Sequence, residues 1–199
     1  MIFVTVGAQM PFDRLIAAAD TWAEDQKDVE VFAQIGAGMY TPKHCAYTRF
    51  LEPVAYRRHM FSADLVVGHA GMGTIITGLE LARPILVLPR RADLRETRND
   101  HQLSTARRFA RHNALTMAKD EKELVRHLKR WRELTAPSRI GSHASFDLLD
   151  LVRRFVETGD VSATDVDTAQ TAPTSVPAPA TVEPPYPMTL PEPEPRIAA

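Results

Sequence analysis

The segment from Leu65 to Leu103 constrains the fold more than any other part of the 199-residue chain. The apolar run Leu65–Val67 precedes the turn HAGMGT at positions 69–74, and the helical run Ile75–Ala82 follows that turn. A second apolar run, Ile85–Leu88, leads into a polar loop and another helical pattern. Strands that alternate with helices are typical of a parallel sheet with right-handed crossovers.

The same alternation extends over most of the chain. Apolar runs predict further strands, and apolar residues at helical spacing predict the helices between them. These strands are Ile2–Val6, Val29–Ile35, Arg49–Leu51 and Ala114–Met117; the helices are Pro11–Glu24, Pro53–Phe61, Asp100–Arg111, Asp120–Arg132 and Phe146–Val156. We therefore expect an α/β fold, a Rossmann-like parallel sheet flanked by helices, in one domain that covers residues 1–159.

The composition changes at about Asp160. Residues 160–199 are rich in Pro, Ala, Thr and Glu and contain almost no aromatic residues. Such a segment cannot bury enough apolar surface to offset the entropy that ordering costs. We expect a disordered Pro/Ala-rich tail, and a proline-rich recognition ligand is the alternative.

Charge and cysteine content exclude several classes of protein. The net charge of -1 gives no bias toward nucleic acid, and the single cysteine, Cys45, excludes an internal disulfide and favours a reducing compartment. We expect no signal peptide, because the chain enters a strand directly. No apolar run approaches the roughly 20 residues that a membrane helix needs.

The glycine turn at positions 69–74 predicts a diphosphate site. Gly71 and Gly73 let the backbone approach a ligand closely, and the unpaired N–H groups and positive dipole end of the following helix favour an anion. Thr74 can cap the helix and offer its hydroxyl to an oxyanion. An ordinary turn between strand and helix is the alternative interpretation.

The polar loop after Ile85–Leu88 opens on the same edge of the sheet, where ligands of open parallel sheets bind. Asp100, His101 and Gln102 combine acceptors and donors that suit the hydroxyls of a sugar. Arg90 and Arg91 can bind phosphate or carboxylate through two parallel hydrogen bonds. The alternatives are helix capping for Asp100 and a solvated basic loop for the arginines.

Three segments in order, VTVGAQ, HAGMGT and NDHQ, resemble the glycosyltransferase family 28 C-terminal domain, the donor-binding half of GT-B enzymes. The similarity covers about residues 1–159. It is closest in kind to the small donor-binding subunits of two-subunit UDP-sugar transferases, those of bacterial exopolysaccharide synthesis and of dolichol-linked N-acetylglucosaminyl transfer. A single GT-B half-domain is the fold that this resemblance implies.

The resemblance also implies a UDP-sugar site and suggests which residues form it. His69 would lie beside the diphosphate, although a structural histidine is the alternative. Thr77 occupies the position where relatives often carry a ribose-binding Glu, and Glu80 lies one turn further on. The expected donor-binding residues are Gly7, Gln9, Gly36, His69, Gly71, Met72, Gly73, Thr74, Thr77, Glu80, Arg90, Arg91, Asp100, His101 and Gln102. No catalytic residue, metal or other cofactor is implied.

The resemblance implies that this chain carries only the donor-binding half of such an enzyme, and we expect the acceptor half on another polypeptide. The resemblance therefore implies an inverting hexosyltransferase that is active only with a membrane-associated acceptor-binding subunit, which brings a lipid-linked saccharide acceptor. The segments LPRRA and RNDHQ resemble those of exopolysaccharide glucuronosyltransferases. A cytoplasmic protein, peripheral to the membrane through its partner and without nucleic acid, is expected. A non-catalytic nucleotide-sugar-binding accessory subunit is the alternative.

Overall fold

A computed structural model describes residues 1–141, 144 and 146–159 of the protein. The tail expected at 160–199 lies outside these residues. The strands are β1 Ile2–Thr5, β2 Val31–Gln34, β3 Ala46–Thr48, β4 Leu65–Gly68, β5 Ile85–Val87 and β6 Thr116–Met117. The α-helices are α1 Asp13–Ala23, α2 Pro53–Ser62, α3 Met72–Glu80, α4 His101–Arg111, α5 Glu121–Leu128 and α6 Phe146–Thr158.

The described strands form one parallel sheet with the order β3-β2-β1-β4-β5-β6. β1 lies in the middle and pairs with β2 on one side and β4 on the other. Thr5 at the end of β1 is therefore level with Gln34 of β2 and Gly68 of β4. The expected Rossmann-like sheet is confirmed, and the carboxyl ends of β1, β2 and β4 meet where the strand order reverses.

Helices cover both faces of the sheet. On one face, Ile2 and Val4 of β1 pack with Leu15 and Ile16 of α1 and with α5. On the other face, Phe3 packs against Met60 of α2, and α3 and α4 cover β5. Strands that are buried on both sides need continuous apolar runs, which explains why these strands could be found in the sequence.

Three elements depart most from the sequence prediction, and the bounds of the other strands and helices shift by one or two residues. The third strand is Ala46–Thr48, not Arg49–Leu51, because its register follows backbone pairing with Phe32–Gln34 at the edge of the sheet rather than an apolar run. The helix α3 begins at Met72, three residues before the expected helical run Ile75–Ala82, and ends at Glu80. The helix α5 ends at Leu128, and a 3₁₀ turn, Trp131–Glu133, follows it.

The last helix contrasts with the others. α6 buries none of its side chains, and Phe146 and Val156 are 91% and 76% exposed. Such an apolar face can pack onto the protein's own sheet or dock onto another chain. Helices α1 to α5 each bury at least one residue against the sheet or a neighbouring helix, whereas the apolar face of α6 stays open within the described residues.

Asp20 anchors the long connection between β2 and β3. Its fully buried carboxylate accepts hydrogen bonds from the backbone N–H groups of Lys43 and His44 at 2.9 and 2.8 Å. The N–H of Cys45 and the hydroxyl of Tyr40 also donate to it, at 3.2 and 2.9 Å. A carboxylate with several donors replaces the water that these groups lose on burial.

We predict that Asp20→Ala lowers the free energy of unfolding by about 2–4 kcal/mol, because it leaves several buried donors without an acceptor. Asp28→Ala, at an exposed position, is the control and should change it by less than about 0.5 kcal/mol. Urea unfolding measures both. Equal losses in the two variants would show that the Asp20 carboxylate does not anchor the loop.

The difference in unfolding free energy between the wild type and Asp20→Ala also depends on pH. Burial opposes ionisation of Asp20, but the hydrogen bonds from Lys43 and His44 outweigh it and lower the pKa of the carboxyl from its ordinary value of 3.8. Stability from a carboxyl with a lowered pKa is complete above the ordinary value and is lost as the pH falls through the lowered one. The difference between wild type and Asp20→Ala should therefore shrink below about pH 4.

Candidate functional site

A cleft of about 930 Å³ lies at the carboxyl edge of the sheet. The segments that follow β1, β3, β4 and β5 form its walls. Most of the residues expected to bind a donor line it: Gly7, Gln9, His69, Gly71, Met72, Gly73, Thr74, Thr77, Arg90, His101 and Gln102. The fold thus brings together residues that are separated by up to 95 positions in the sequence.

The amino end of α3 faces this cleft. The first hydrogen bond within the helix runs from the N–H of Ile75 to the carbonyl of Gly71, at 3.1 Å. The N–H groups of Met72, Gly73 and Thr74 precede this bond and have no acceptor inside the helix. Because the positive end of the helix dipole adds to these donors, an anion is the ligand that this wall favours.

Gly71 and Gly73 have different roles. A Cβ on Gly71 would lie 2.2 Å from Nε2 of His69, so the imidazole requires a glycine there. A Cβ on Gly7, which has a φ of +74°, would lie 2.7 Å from Cε1 of the same ring. A Cβ on Gly73 would meet no atom within 4 Å. Gly7 and Gly71 therefore make room for His69, whereas Gly73 leaves free space inside the cleft.

His69 is neutral at physiological pH. Burial lowers the pKa of its imidazole to about 4, the positive charge of Arg90 acts in the same direction, and the Thr5 carbonyl partly offsets both. Nδ1 is sealed from solvent and has no hydrogen-bond partner among the described residues. A neutral imidazole can donate or accept a hydrogen bond but adds no charge to the cleft.

The hydroxyl of Thr74 is held in position by a hydrogen bond with the neighbouring helix α2. Thr74 is the third residue of α3, so it does not cap the helix as the sequence suggested; Gly71 occupies the capping position. The Thr74 side chain is buried, and its hydroxyl lies 3.1 Å from the hydroxyl of Tyr56 on α2. Burial raises the pKa of Tyr56, and the hydrogen bond with Thr74 partly offsets this rise. Tyr56 therefore stays protonated and fixes the position of the Thr74 hydroxyl.

Arg90 is a buried cation beneath the cleft and ties two loops together. Its guanidinium donates to the carbonyls of Pro11 and Met10 at 2.6 and 2.7 Å. It also donates to the carbonyls of Val6 and Glu96 at 2.9 and 3.3 Å. Burial lowers the pKa of Arg90 and the charge of Glu96 raises it, yet a guanidinium remains protonated in proteins. All four acceptors are uncharged, so the positive charge contributes to the potential in the cleft.

A second arginine fixes the loop between β5 and α4. Arg14 on α1 donates to both carboxylate oxygens of Glu96, at 2.7 and 2.8 Å, and to the Pro89 carbonyl at 3.1 Å. The Glu121 carboxylate accepts from the same guanidinium at 3.2 Å. Burial opposes the charge of Arg14, but Glu96 and Glu121 outweigh it and raise its pKa. This half-buried cluster holds the segment that carries the polar residues of the second wall.

The loop after β5 forms a second wall of the cleft, and its residues Asp100, His101 and Gln102 have two different roles. His101 and Gln102 line the cleft, and the buried Gln102 accepts the N–H of Arg90 through Oε1 at 3.2 Å. Asp100 lies outside the cleft and accepts the N–H of Ala92 at 3.0 Å, so its carboxylate shapes the loop. It stands at the capping position of α4 without a side-chain capping bond. Asn99 accepts from the N–H of His101 and contacts its ring.

Three more expected residues lie away from the cleft lining. Gly36 forms a turn with a φ of +61° and pairs with Arg49 through its backbone. Glu80 is at the far end of α3 and pairs with Arg57 at 3.2 Å, whereas Thr77 lines the cleft. Arg91 is exposed and pairs with Asp93.

Sequence reasoning missed part of the lining. Gln34 closes β2, Leu51 and Pro53 follow β3, and Tyr56 projects from α2. Thr97 and Asn99, in the loop after β5, also line the cleft beside residues that were expected. Arg98 lines it too, and its place in an arginine-rich loop had already indicated a ligand role. The polar Gln34 at the end of an apolar strand was a usable signal. Tyr56 carried none, because only the packing of α2 beside α3 brings it to Thr74.

The charges in the lining have one sign. Arg90 and Arg98 are the cations, and His69 and His101 add imidazoles. Of the described residues, no Asp or Glu lines the cleft. The described part of the chain also contains no cluster of three or more acidic, His or Cys residues suited to a metal ion. None of its helices combines the length and the apolar character needed to cross a membrane.

The two glycines give a matched stability test. We predict that Gly71→Ala lowers the free energy of unfolding by about 1–3 kcal/mol, because the new Cβ overlaps the His69 ring. Gly73→Ala should stay within about 1 kcal/mol of the wild type, because its Cβ enters free space. Thermal denaturation measures both. A Gly73→Ala variant as unstable as Gly71→Ala would contradict this division of roles.

Several solved structures are similar to this chain. The structure of the glycotransferase of kitacinnamycin has a TM-score of 0.50 at 18% identity, over 66% of this chain and 34% of that one. ALG13 has a TM-score of 0.49 at 21% identity, over 79% and 95%. MurG of Acinetobacter baumannii has a TM-score of 0.46 at 19% identity, over 65% and 40%. No curated protein matches significantly.

The first of these similarities supports the fold, and this chain spans about a third of that glycotransferase. The family model of the glycosyltransferase family 28 C-terminal domain matches residues 1–135, which include every strand, α1 to α5 and all the residues that line the cleft. The chain therefore belongs to the proteins that carry the glycosyltransferase family 28 C-terminal domain.

Proposed function

We propose that the protein is the donor-binding subunit of an inverting UDP-sugar glycosyltransferase. One observation carries this proposal: the cleft combines a free helix amino terminus with two arginines and contains no described carboxylate. Such a site suits a ligand with concentrated negative charge, and a diphosphate has that charge. Membership of the glycosyltransferase family makes a nucleoside diphosphate sugar the matching ligand.

The positions of the cleft walls indicate how a nucleoside diphosphate sugar would be oriented in the cleft. The diphosphate would lie at the N–H groups of Met72 to Thr74, with the Thr74 hydroxyl as a further donor. The sugar would lie against the loop after β5, where Asn99, His101 and Gln102 offer donors and acceptors. The nucleoside would then lie over the ends of β1, β2 and β3, on the other side of β4.

The chemistry requires stabilisation of the departing diphosphate. When an acceptor hydroxyl attacks the anomeric carbon, the bond to the diphosphate breaks and negative charge develops on its oxygen. Donors that are already oriented towards that charge lower the barrier without reorganisation. The α3 terminus and the Arg90 charge are such groups, so the proposed leaving-group site needs no metal.

The acceptor hydroxyl needs a base, and the described lining offers a poor choice. His69 has a lowered pKa and is wedged between two glycines. His101 lies at the rim beside Asn99. We assign the base and the lipid-linked saccharide acceptor to a membrane-associated partner subunit, and the exposed apolar face of α6 is the surface proposed to meet it. The proposed location is the cytoplasm, at the inner face of the membrane through that partner.

Arg98 is the residue proposed to select a hexuronate. Arg91 is paired with Asp93, and Arg90 is committed to four carbonyls. Arg98 lines the cleft, and none of the hydrogen bonds or ion pairs found among the described residues engages its side chain. A glucuronate carboxylate bound there would gain a charge-assisted pair of hydrogen bonds. We propose that the lipid-linked acceptor is an intermediate of exopolysaccharide assembly.

The diphosphate site has a direct binding test. We predict that Gly73→Asp weakens UDP binding at least about tenfold, because a carboxylate would face the diphosphate at short range. Gly73→Asn, which has the same size without the charge, should lose less than about threefold. Calorimetry with EDTA present measures both and also tests metal independence. Unchanged UDP affinity in Gly73→Asp would reject this site.

The assembled complex tests catalysis. With the partner subunit bound, we predict that Gly73→Asp abolishes UDP release from a UDP-sugar, whereas the wild-type chain alone releases almost none. Arg98→Gln should lower the preference for UDP-glucuronate over UDP-glucose by about tenfold, because one charge-assisted contact contributes roughly 1.5 kcal/mol or more. Arg91→Gln is the matched control and should leave the preference unchanged.

Two results would change the proposal. Full transfer by the complex that carries Gly73→Asp would mean that the partner binds its own donor, and the chain would then be an accessory nucleotide-sugar-binding subunit. Equal use of the two donors by the wild-type complex would reject glucuronate selection and leave Arg98 with a diphosphate role.

A further inference from the structure

Gln34 is a buried amide whose nitrogen has no hydrogen-bond partner in the part of the chain that the structure describes. It ends β2, is 3% exposed and lines the cleft. Its Oε1 accepts the hydroxyl of Thr5 at 2.8 Å. None of the hydrogen bonds found within residues 1–141, 144 and 146–159 uses Nε2, and this atom is not among the partnerless ones that are sealed from solvent. The amide nitrogen therefore reaches the cleft with two unused N–H donors.

The orientation of this amide is fixed from the sheet. The Thr5 hydroxyl accepts the N–H of Gly7 at 3.1 Å, so its single proton is free to go to Gln34. This arrangement turns Oε1 towards β1 and leaves Nε2 directed away from it. Buried polar groups in proteins almost always have partners. A nearly buried amide whose donors open into a cleft is a group built to meet a ligand.

The position of Gln34 indicates which part of the ligand it meets. The strand order places β2 and β3 on one side of β4 and the sugar loop after β5 on the other. With the diphosphate at the end of β4, only the nucleoside can lie over β2 and β3. Leu51 and Pro53, which follow β3, line this part of the cleft and offer apolar surface to a flat ring. An N–H donor beside such a surface pairs with a carbonyl on the edge of the ring.

We propose that Gln34 determines nucleoside specificity, with Nε2 donating a hydrogen bond to a carbonyl oxygen of the base. This inference rests on the proposed function, because it needs a nucleoside diphosphate in the cleft. Thr5 is a positioning residue, since it aims the amide and does not itself touch the base.

Gln34→Met tests the proposal by removing the donor while keeping the length of the side chain. With the full chain, we expect UDP affinity to fall about 5- to 20-fold, which is the range for one lost hydrogen bond. Affinities for ADP, whose base has no carbonyl, and for inorganic pyrophosphate should stay within about twofold, because both lack the contact. Gln26→Met, outside the cleft lining, is the control and should change none of them.

A second measurement does not depend on the Met variant folding well. In the wild-type chain, addition of UDP should shift the NMR signals of the Gln34 side-chain NH₂, and pyrophosphate should not. The pair of signals that is missing in Gln34→Glu identifies them. The carboxylate of that variant should also weaken UDP binding, because it replaces a donor with an acceptor.

Each other outcome overturns the inference. Unchanged UDP affinity in Gln34→Met, or unshifted NH₂ signals, would mean that Gln34 does not meet the nucleoside. Equal losses for UDP, ADP and pyrophosphate would assign Gln34 to the diphosphate or to the structure of the site. If the wild-type chain binds neither UDP nor pyrophosphate, the proposed function fails and this inference fails with it; the wild-type titration separates that case from the others.

Discussion

The site depends on the buried guanidinium of Arg90 more than on any other interaction. Its four hydrogen bonds join the segment after β1 to the loop after β5, across the strand β4 that lies between them. Carbonyl oxygens satisfy the donors without cancelling the charge. One group therefore shapes two walls of the cleft and makes its floor positive, and the same charge helps to keep His69 neutral.

This arrangement separates residues that shape the cleft from residues that are free to bind. Arg14 and Glu96 form an ion pair with each other, and the carboxylate of Asp100 accepts a backbone N–H of the loop after β5. The ring of His69 fills the space beside Gly7 and Gly71. The groups that remain include backbone donors at α3, the Thr74 hydroxyl, Arg98 and the Gln34 amide. All of them can donate hydrogen bonds, which is why the cleft favours a ligand rich in oxygen acceptors.

The family relationship covers the whole cleft and ends before the last helix. Residues 1–135 match the family, and the cleft belongs to them entirely. The described residues of α6 lie beyond that match and leave an apolar face uncovered. The proposed function assigns the acceptor to a second chain, and this uncovered apolar face is the surface proposed to meet it.

The sequence by itself determined the sheet, the glycine turn and the edge on which ligands bind, because buried parallel strands need continuous apolar runs and because strand ends on one edge converge. It did not determine the edge strand Ala46–Thr48, whose backbone pairing leaves no apolar pattern. Only the tertiary structure decided which polar residues are available. Arg90 and Arg91 look alike in the sequence, yet burial commits the first to carbonyls and exposure leaves the second to Asp93. Gln34 and Tyr56 became site residues because packing brought them to the cleft, and spacing along a chain carries no record of such long-range contacts.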